Sequence, residues 1–317
     1  MNKFYLAADS GGSKTIWSLL NDEGKRITRI QTDGLGAVKP GILPIEETVK
    51  KAEDGIKKFG IPKGIYLSLG GPNVEEVSDV LKKVWKNTPV NVEREACGNA
   101  MLKAAKFLGC SAVVMCGTGS TAVGDTSRGR VFCGGWGPIY GDEGSGGGMG
   151  SDALKLFLRH IDDGTDIGGL SDLFAKLTEG LDIKSFSGRM ELKSRALNMS
   201  RKELAGLAPK IYDLAINGDA TAEYLYDKAA KEVALMANAV SDNTEKNKVL
   251  LCGGLFTDKP EFMKKCMNNF KKLSDAGLYY NERFSPIIAA EIAVLSENSI
   301  DVNDRLFNEI LKGDLIK

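Results

Sequence analysis

Three short apolar segments open the chain: Lys3–Ala8, Thr15–Leu20 and Lys25–Gln31, the last with alternating apolar positions. The second and third are joined by Asn21-Asp22-Glu23-Gly24, a polar turn with a glycine, so the trio reads as a strand meander. Helical spacing of apolar residues then predicts a helix over Pro44–Phe59, a strand at Gly64–Leu69 and a helix at Val74–Lys86. A short strand at Val90–Val92 and a helix at Glu95–Phe107 follow. The predicted order is βββαβαβα.

The pattern restarts after Gly109. Ser111–Cys116 and Thr121–Gly124 are strand-like, Asp125–Gly129 turns, and Arg130–Cys133 returns. Helices are predicted from about Ser145 to Asp162 and through much of 167–241. A buried strand at Lys248–Cys252 precedes a helix near Pro260–Leu273, and helices at about Pro286–Glu297 and Val302–Leu311 close the chain. Gly12-Ser13 and Gly119-Ser120 are 107 residues apart, each after an apolar strand and before a strand–turn–strand. Two copies of one α/β unit, the second with a helical insertion, predict a clamshell. Ligands of such proteins sit at domain interfaces and at the carboxyl ends of strands.

Composition narrows the chemistry. At 317 residues the chain is long for one core and comfortable for two. Lys+Arg and Asp+Glu are equal at 42 each, so no net field recruits nucleic acid or an anionic membrane. No apolar run reaches 18 residues and the N-terminus lacks a signal-peptide pattern, so the expected compartment is the cytoplasm, with no membrane partner. The cysteines Cys97, Cys110, Cys116, Cys133, Cys252 and Cys266 form no C-x-x-C pair and mostly sit in apolar runs, as small buried hydrophobes do. His160 is the only histidine and lies in the helical stretch 154–160, which argues against a serine–histidine triad and excludes histidine-rich zinc sites. Acid–base work falls to carboxylates, Lys, Tyr or Cys.

Four glycine loops hold the candidate chemistry. Asp9-Ser10-Gly11-Gly12-Ser13-Lys14-Thr15 joins the first two strands. Its glycines let backbone amides approach an anion, Lys14 adds a cation, and Asp9 can hold Mg²⁺ directly or through water. It is not a Walker loop, since Ser13 and Ala8 occupy the glycine positions; a plain glycine hairpin is the competing reading. Cys116-Gly117-Thr118-Gly119-Ser120-Thr121-Ala122 matches the dinucleotide fingerprint in letters. The following segment reads as a hairpin rather than a helix, which argues for a phosphate hairpin with hydroxyls from Thr118 and Ser120. The run Gly134–Gly148 is dense in glycine and includes Trp136, Asp142 and Glu143. A loop wrapping a polar ligand explains that density. Gly253-Gly254 follows the strand at 248–252, where paired glycines can let an adenine ring lie against backbone.

The set Asp9-Ser-Gly-Gly-Ser-Lys-Thr, Gly117-Thr-Gly-Ser, Gly134-Gly-Trp-Gly and Gly141-Asp-Glu-Gly-Ser, in this order on a doubled βββαβαβα frame, resembles the sugar kinase, Hsp70 and actin ATPase superfamily. Within it the chain is most similar to the BadF/BadG/BcrA/BcrD-type ATPases and N-acetylglucosamine kinases, with the likeness running on through Gly253-Gly254 to Ser285–Ala290. The resemblance implies an α/β fold of two ribonuclease H-like (actin-like ATPase) domains with an interdomain cleft. Residues 1–110 form the first domain and 111–301 the second, with the helical insertion, while a C-terminal helix at about 302–317 can pack back on the first.

The resemblance also implies roles. Gly11, Gly12, Ser13, Lys14 and Thr15 form the first ATP-phosphate loop, with Asp9 organising Mg²⁺; Gly117, Thr118, Gly119 and Ser120 form the second; Gly253 and Gly254 hold adenosine. Gly135, Trp136, Gly137 and Asp142 touch the acceptor sugar. The general base of the kinases is an Asp in Asn-Asp-Ala, where this chain has Arg94-Glu95-Ala96, and the Asn of N-acetylglucosamine kinases falls about at Val38. Glu95 is therefore the expected base, beside the plainer reading of an acid favoured by about 0.3–1 kcal/mol at a helix N-terminus. The expected activity is ATP-dependent phosphorylation of a hexose or amino-sugar hydroxyl, with ATP and Mg²⁺ required and a homodimer left open. The alternatives are an ATPase that activates a partner enzyme and a nucleotide- or sugar-binding sensor.

Overall fold

The computed structural model describes residues 3–36, 42–94 and 98–313. Its first half runs β1 (Phe4–Ser10), β2 (Lys14–Asn21), β3 (Arg26–Asp33), α1 (Ile42–Ile56), β4 (Ile65–Leu69), α2 (Val74–Val84), β5 (Val90–Arg94) and α3 (Asn99–Phe107). The meander β3-β2-β1 is antiparallel, and β4 and β5 add in parallel to give the order β3-β2-β1-β4-β5. The βββαβαβα expectation holds.

The second half repeats that order. β6 (Ala112–Cys116), β7 (Ser120–Thr126) and β8 (Gly129–Gly134) form the meander, followed by α4 (Gly146–Asp163). The helical insertion continues with α5 (Leu170–Leu173), α6 (Ala175–Thr178), α7 (Phe186–Leu197), α8 (Arg201–Ala205), α9 (Ala208–Ile216) and α10 (Ala220–Ala239). Then come β9 (Lys248–Cys252), α11 (Pro260–Phe270), β10 (Gly277–Tyr280), α12 (Pro286–Glu297) and α13 (Asp304–Lys312). The sheet order β8-β7-β6-β9-β10 matches that of the first sheet, strand for strand. β10, which the hydrophobic pattern did not predict, supplies the equivalent of β5. It is four half-buried residues long and pairs with β9 alone, too short for periodicity to register.

Three cores stack the layers. α1 and α2 cover the outer face of the first sheet through Ile45, Val49, Val77 and Leu81. The insertion helices and α11 cover the outer face of the second. A shared core lies between the sheets, where α3, α12 and α13 meet Tyr5, Ala7 and Tyr66 on one side and Val113, Val123 and Leu250 on the other. α12 is apolar nearly all round, as a helix enclosed on every side must be.

A charged cluster is buried in that layer. Glu291 of α12 is fully buried, and its Oε1 accepts from Ser18 Oγ (2.5 Å), Arg26 Nε (2.6 Å) and Arg29 Nη2 (3.1 Å). Arg26 Nη2 pairs with its other oxygen. The cluster locks α12 to β2 and β3. Among the described residues no helix is long and apolar enough to cross a membrane.

Candidate active site

The first glycine loop follows β1, whose parallel neighbour is β4, and the second follows β6, whose parallel neighbour is β9. Both loops therefore emerge at carboxyl ends of parallel strands. They meet: Ser13 Oγ lies 3.3 Å from Thr118 Oγ1. Around this junction opens a cavity of about 1100 Å³.

The first loop is held from behind. Thr15 Oγ1 donates to Asp33 O (2.9 Å), Ser10 Oγ donates to Thr15 Oγ1 (2.7 Å), and Leu35 N donates to Ser10 Oγ (2.9 Å). Thr15 is fully buried and supports the loop instead of facing the cavity. Gly36 N donates to Gly11 O, and Gly70 N to Ser10 O, so three backbone segments press together. Asp9, Gly11, Gly12, Ser13 and Lys14 line the cavity. A side chain at Gly11 or Gly12 would meet nothing within 4 Å.

The second loop rests on the start of α4. Gly146 N donates to Gly117 O (2.9 Å), Gly147 N to Thr118 O (3.0 Å), and the N-cap Ser145 donates to Thr118 O (3.2 Å) while accepting from Gly148 N. Side chains at Gly147 and Gly148 would run into Thr118 O and Asp142 O. These glycines thus permit close packing of helix on loop, a different cause from the ligand contact expected for the whole glycine-dense run. Gly117, Thr118, Gly119 and Ser120 line the cavity, as do Gly253 and Gly254 at the end of β9. Leu255 N donates to Cys116 O, which seats that turn beside the second loop. Nearby, burial holds the Lys259 ammonium below the usual lysine range.

Gly135, Trp136, Gly137 and Asp142 also line the cavity. Trp136 is 77% exposed, so its indole stabilises no core and stands at the rim. Asp142 is the opposite: 3% exposed and at φ +67°, a strained setting for a residue with a side chain. Its Oδ1 accepts from Ser120 N (3.3 Å) and its Oδ2 from Arg201 Nη2 (2.5 Å). Arg201 opens α8, whose start is fixed by a Ser200–Glu203 capping box. Sequence reading missed it, because no motif links a surface-type helix in the insertion to a loop 59 residues away.

Glu95 lies outside the described residues, as does Val38. Arg94, just before Glu95, lines the cavity at the end of β5. The helix predicted from Glu95 is described from Asn99, after Gly98 at φ +59°. Cys110, Cys116, Cys252 and Cys266 are buried, and burial pushes the Cys116 thiol well up, which opposes thiolate chemistry there. Among the described residues no group of three or more His, Cys, Asp or Glu could hold a metal ion.

Known proteins align with this frame. The profile of the BadF/BadG/BcrA/BcrD ATPase family matches residues 8–278. An N-acetylmuramic acid/N-acetylglucosamine kinase of Clostridium acetobutylicum is 30% identical over 187 residues, which is 56% of this chain and 60% of the relative. The chain thus spans about 60% of that relative's length. An N-acetyl-D-glucosamine kinase of Dictyostelium discoideum is 24% identical over 297 residues, 84% of this chain and 91% of the relative. The crystal structure of a Chromobacterium violaceum protein assigned as an N-acetylglucosamine kinase superposes with a TM-score of 0.72 at 20% identity, covering 92% of this chain and 99% of that one. This likeness bears out the expected fold class of two actin-like α/β units.

Proposed function

The chain belongs to the BadF/BadG/BcrA/BcrD ATPase family, and we propose that it is an ATP-dependent kinase that phosphorylates a hydroxyl of an amino sugar or a related hexose. The observation that carries this reading is convergence. Two glycine loops from the two repeated halves meet at Ser13 and Thr118, in one cavity with Trp136 and Asp142. An ATPase that needs only water has no use for an aromatic rim and a second polar surface beside its phosphate loops. The names of the Clostridium and Dictyostelium relatives support an N-acetylated amino sugar as the acceptor.

In this reading the division near residue 110 gives each half one phosphate loop. Amides and hydroxyls of 11–14 and 117–120 bind and orient the phosphates, and Gly253-Gly254 receives the adenosine. Most of the catalysis of phosphoryl transfer is positioning and charge stabilisation. Asp9, half-buried at the end of β1 and facing the cavity, suits Mg²⁺, which uses one or two carboxylates together with substrate phosphates. A Mg²⁺ ion held there would supply charge neutralisation for the phosphates. Trp136 and Asp142 orient the acceptor, and Glu95 takes the proton of its hydroxyl.

The test is ADP release from Mg-ATP across a panel of sugars, with a no-sugar control and an Asp9→Ala variant. Stimulation by one sugar, abolished in an Asp9→Ala variant that still folds, is expected. ADP release of equal rate with and without every sugar overturns the kinase assignment, and full activity of Asp9→Ala overturns the role of the first loop.

A further inference from the structure

Arg201 comes from the helical insertion, yet its guanidinium lies directly on the second glycine loop. A Cβ on Gly119 would collide with Arg201 Nη2 and with Asp142 Oδ1. The aliphatic stem of Arg201 passes over Gly147 at the start of α4. One end of the guanidinium is tied to Asp142 Oδ2 at 2.5 Å. Its Nε is buried and makes no hydrogen bond in the structure. The side chain keeps 30% of its surface exposed and lines the cavity, whereas Asp142 keeps 4%. The ion pair is therefore one-sided, with the carboxylate enclosed and the cation open towards the junction of the two loops.

A purely structural pair would not need this layout. A guanidinium offers five N–H donors in a planar fork matched to carboxylate and phosphate oxygens. Here one donor is engaged by Asp142, and an unbonded buried Nε is costly unless a further acceptor arrives. Asp142 itself is held in the left-handed backbone region, a strain that persists only where the surroundings enforce it. The Asp142 carboxylate and the Ser120 amide it accepts from fix the guanidinium over Gly119. That is where the second loop would present its amides to a nucleotide.

We propose that Arg201 is a phosphate-binding residue of the nucleotide site, supplied by the insertion and held in position by Asp142. The proposal rests on the reading of 117–120 as a phosphate loop but not on the identity of the acceptor. It assigns the insertion a function: α8 docks on α4 so that a cation from the insertion joins Lys14 in lining the cavity. It also gives Asp142 a task in the absence of any sugar, that of orienting the cation.

Binding measurements on the intact chain test it, with Mg-ATP, Mg-ADP and adenosine titrated calorimetrically against wild type, Arg201→Met and Arg201→Lys. Adenosine is the internal control for folding, since it has no phosphate. Arg201→Met is expected to weaken Mg-ATP at least tenfold while leaving adenosine within twofold. Arg201→Lys, which keeps the charge and loses the fork, is expected to fall between. Equal losses for ATP and adenosine in both variants would show that Arg201 only supports the fold and would overturn the proposal. So would wild-type ATP affinity in Arg201→Met. A wild-type protein that binds ATP but is stimulated by no sugar would sink the kinase reading while leaving this result to stand.

Discussion

Gly12→Ala separates ligand binding from folding in the first loop. Gly12 lies in the first loop with no left-handed φ, and an added Cβ would meet nothing within 4 Å. The fold should accept the methyl group. Loss of glycine freedom in the unfolded chain is then worth about 0.4–1 kcal/mol in favour of the folded state, roughly a degree or two in Tm for a chain of this size. The same methyl group projects into the cavity where the loop would approach phosphate oxygens. Losing one charge-assisted hydrogen bond costs about 1.5–3 kcal/mol, which is roughly 10- to 150-fold in Kd. Gly36→Ala is the mirror case, because its Cβ would run into Gly70 O and approach Gly11 C. Overpacking of this kind costs about 1–3 kcal/mol. Calorimetric titration with Mg-ATP and thermal melts on both variants read the two effects. Gly12→Ala should melt at or above wild type and bind ATP poorly, while Gly36→Ala should melt lower. Wild-type ATP affinity in a well-folded Gly12→Ala would refute the idea that this loop cradles phosphate.

Glu291→Gln leaves Arg26 and Arg29 facing a neutral amide, and breaking a buried pair of this kind should cost about 3–5 kcal/mol. Urea unfolding reads this loss, and the exposed Lys50–Glu53 pair is the control, expected to contribute at most about 1 kcal/mol. Burial, reinforced by Glu143, holds the Glu232 carboxyl above the usual glutamate range. Its contribution favours the folded state below about 4.5 and is lost as pH rises through the folded-state value. Glu232→Gln should therefore be more stable than wild type at pH 7 and show a flatter stability profile from pH 4 to 7. An unchanged profile in urea melts would contradict that assignment.

Much of the fold was legible because its signals are local. Apolar strands of five to eight residues, bounded by glycine turns, placed β1 to β4, β6 and β9 to within a few residues, and the 107-residue repeat announced that the second sheet copies the first. β10 escaped because four half-buried residues show no period. The site was legible as loops but not as contacts. Thr15 sits within the glycine motif, yet its hydroxyl is consumed by Ser10 and Asp33, a result of the β2–β3 register that no motif encodes. The glycine-rich motif places Asp142 at the cavity, while its tie to Arg201 depends on how the insertion folds over α4. Gly146–Gly148 were legible as unusual, while their cause, the close approach of α4 to two loops, belongs to tertiary packing.

Phosphorus NMR of a reaction containing the protein, Mg-ATP and the best stimulating sugar tests the central claim most directly. A kinase produces a new phosphomonoester resonance that grows in step with ADP, with inorganic phosphate staying at the level of the no-sugar control. ADP matched by inorganic phosphate, with no phosphomonoester for any sugar, would show that water is the acceptor and would contradict the account.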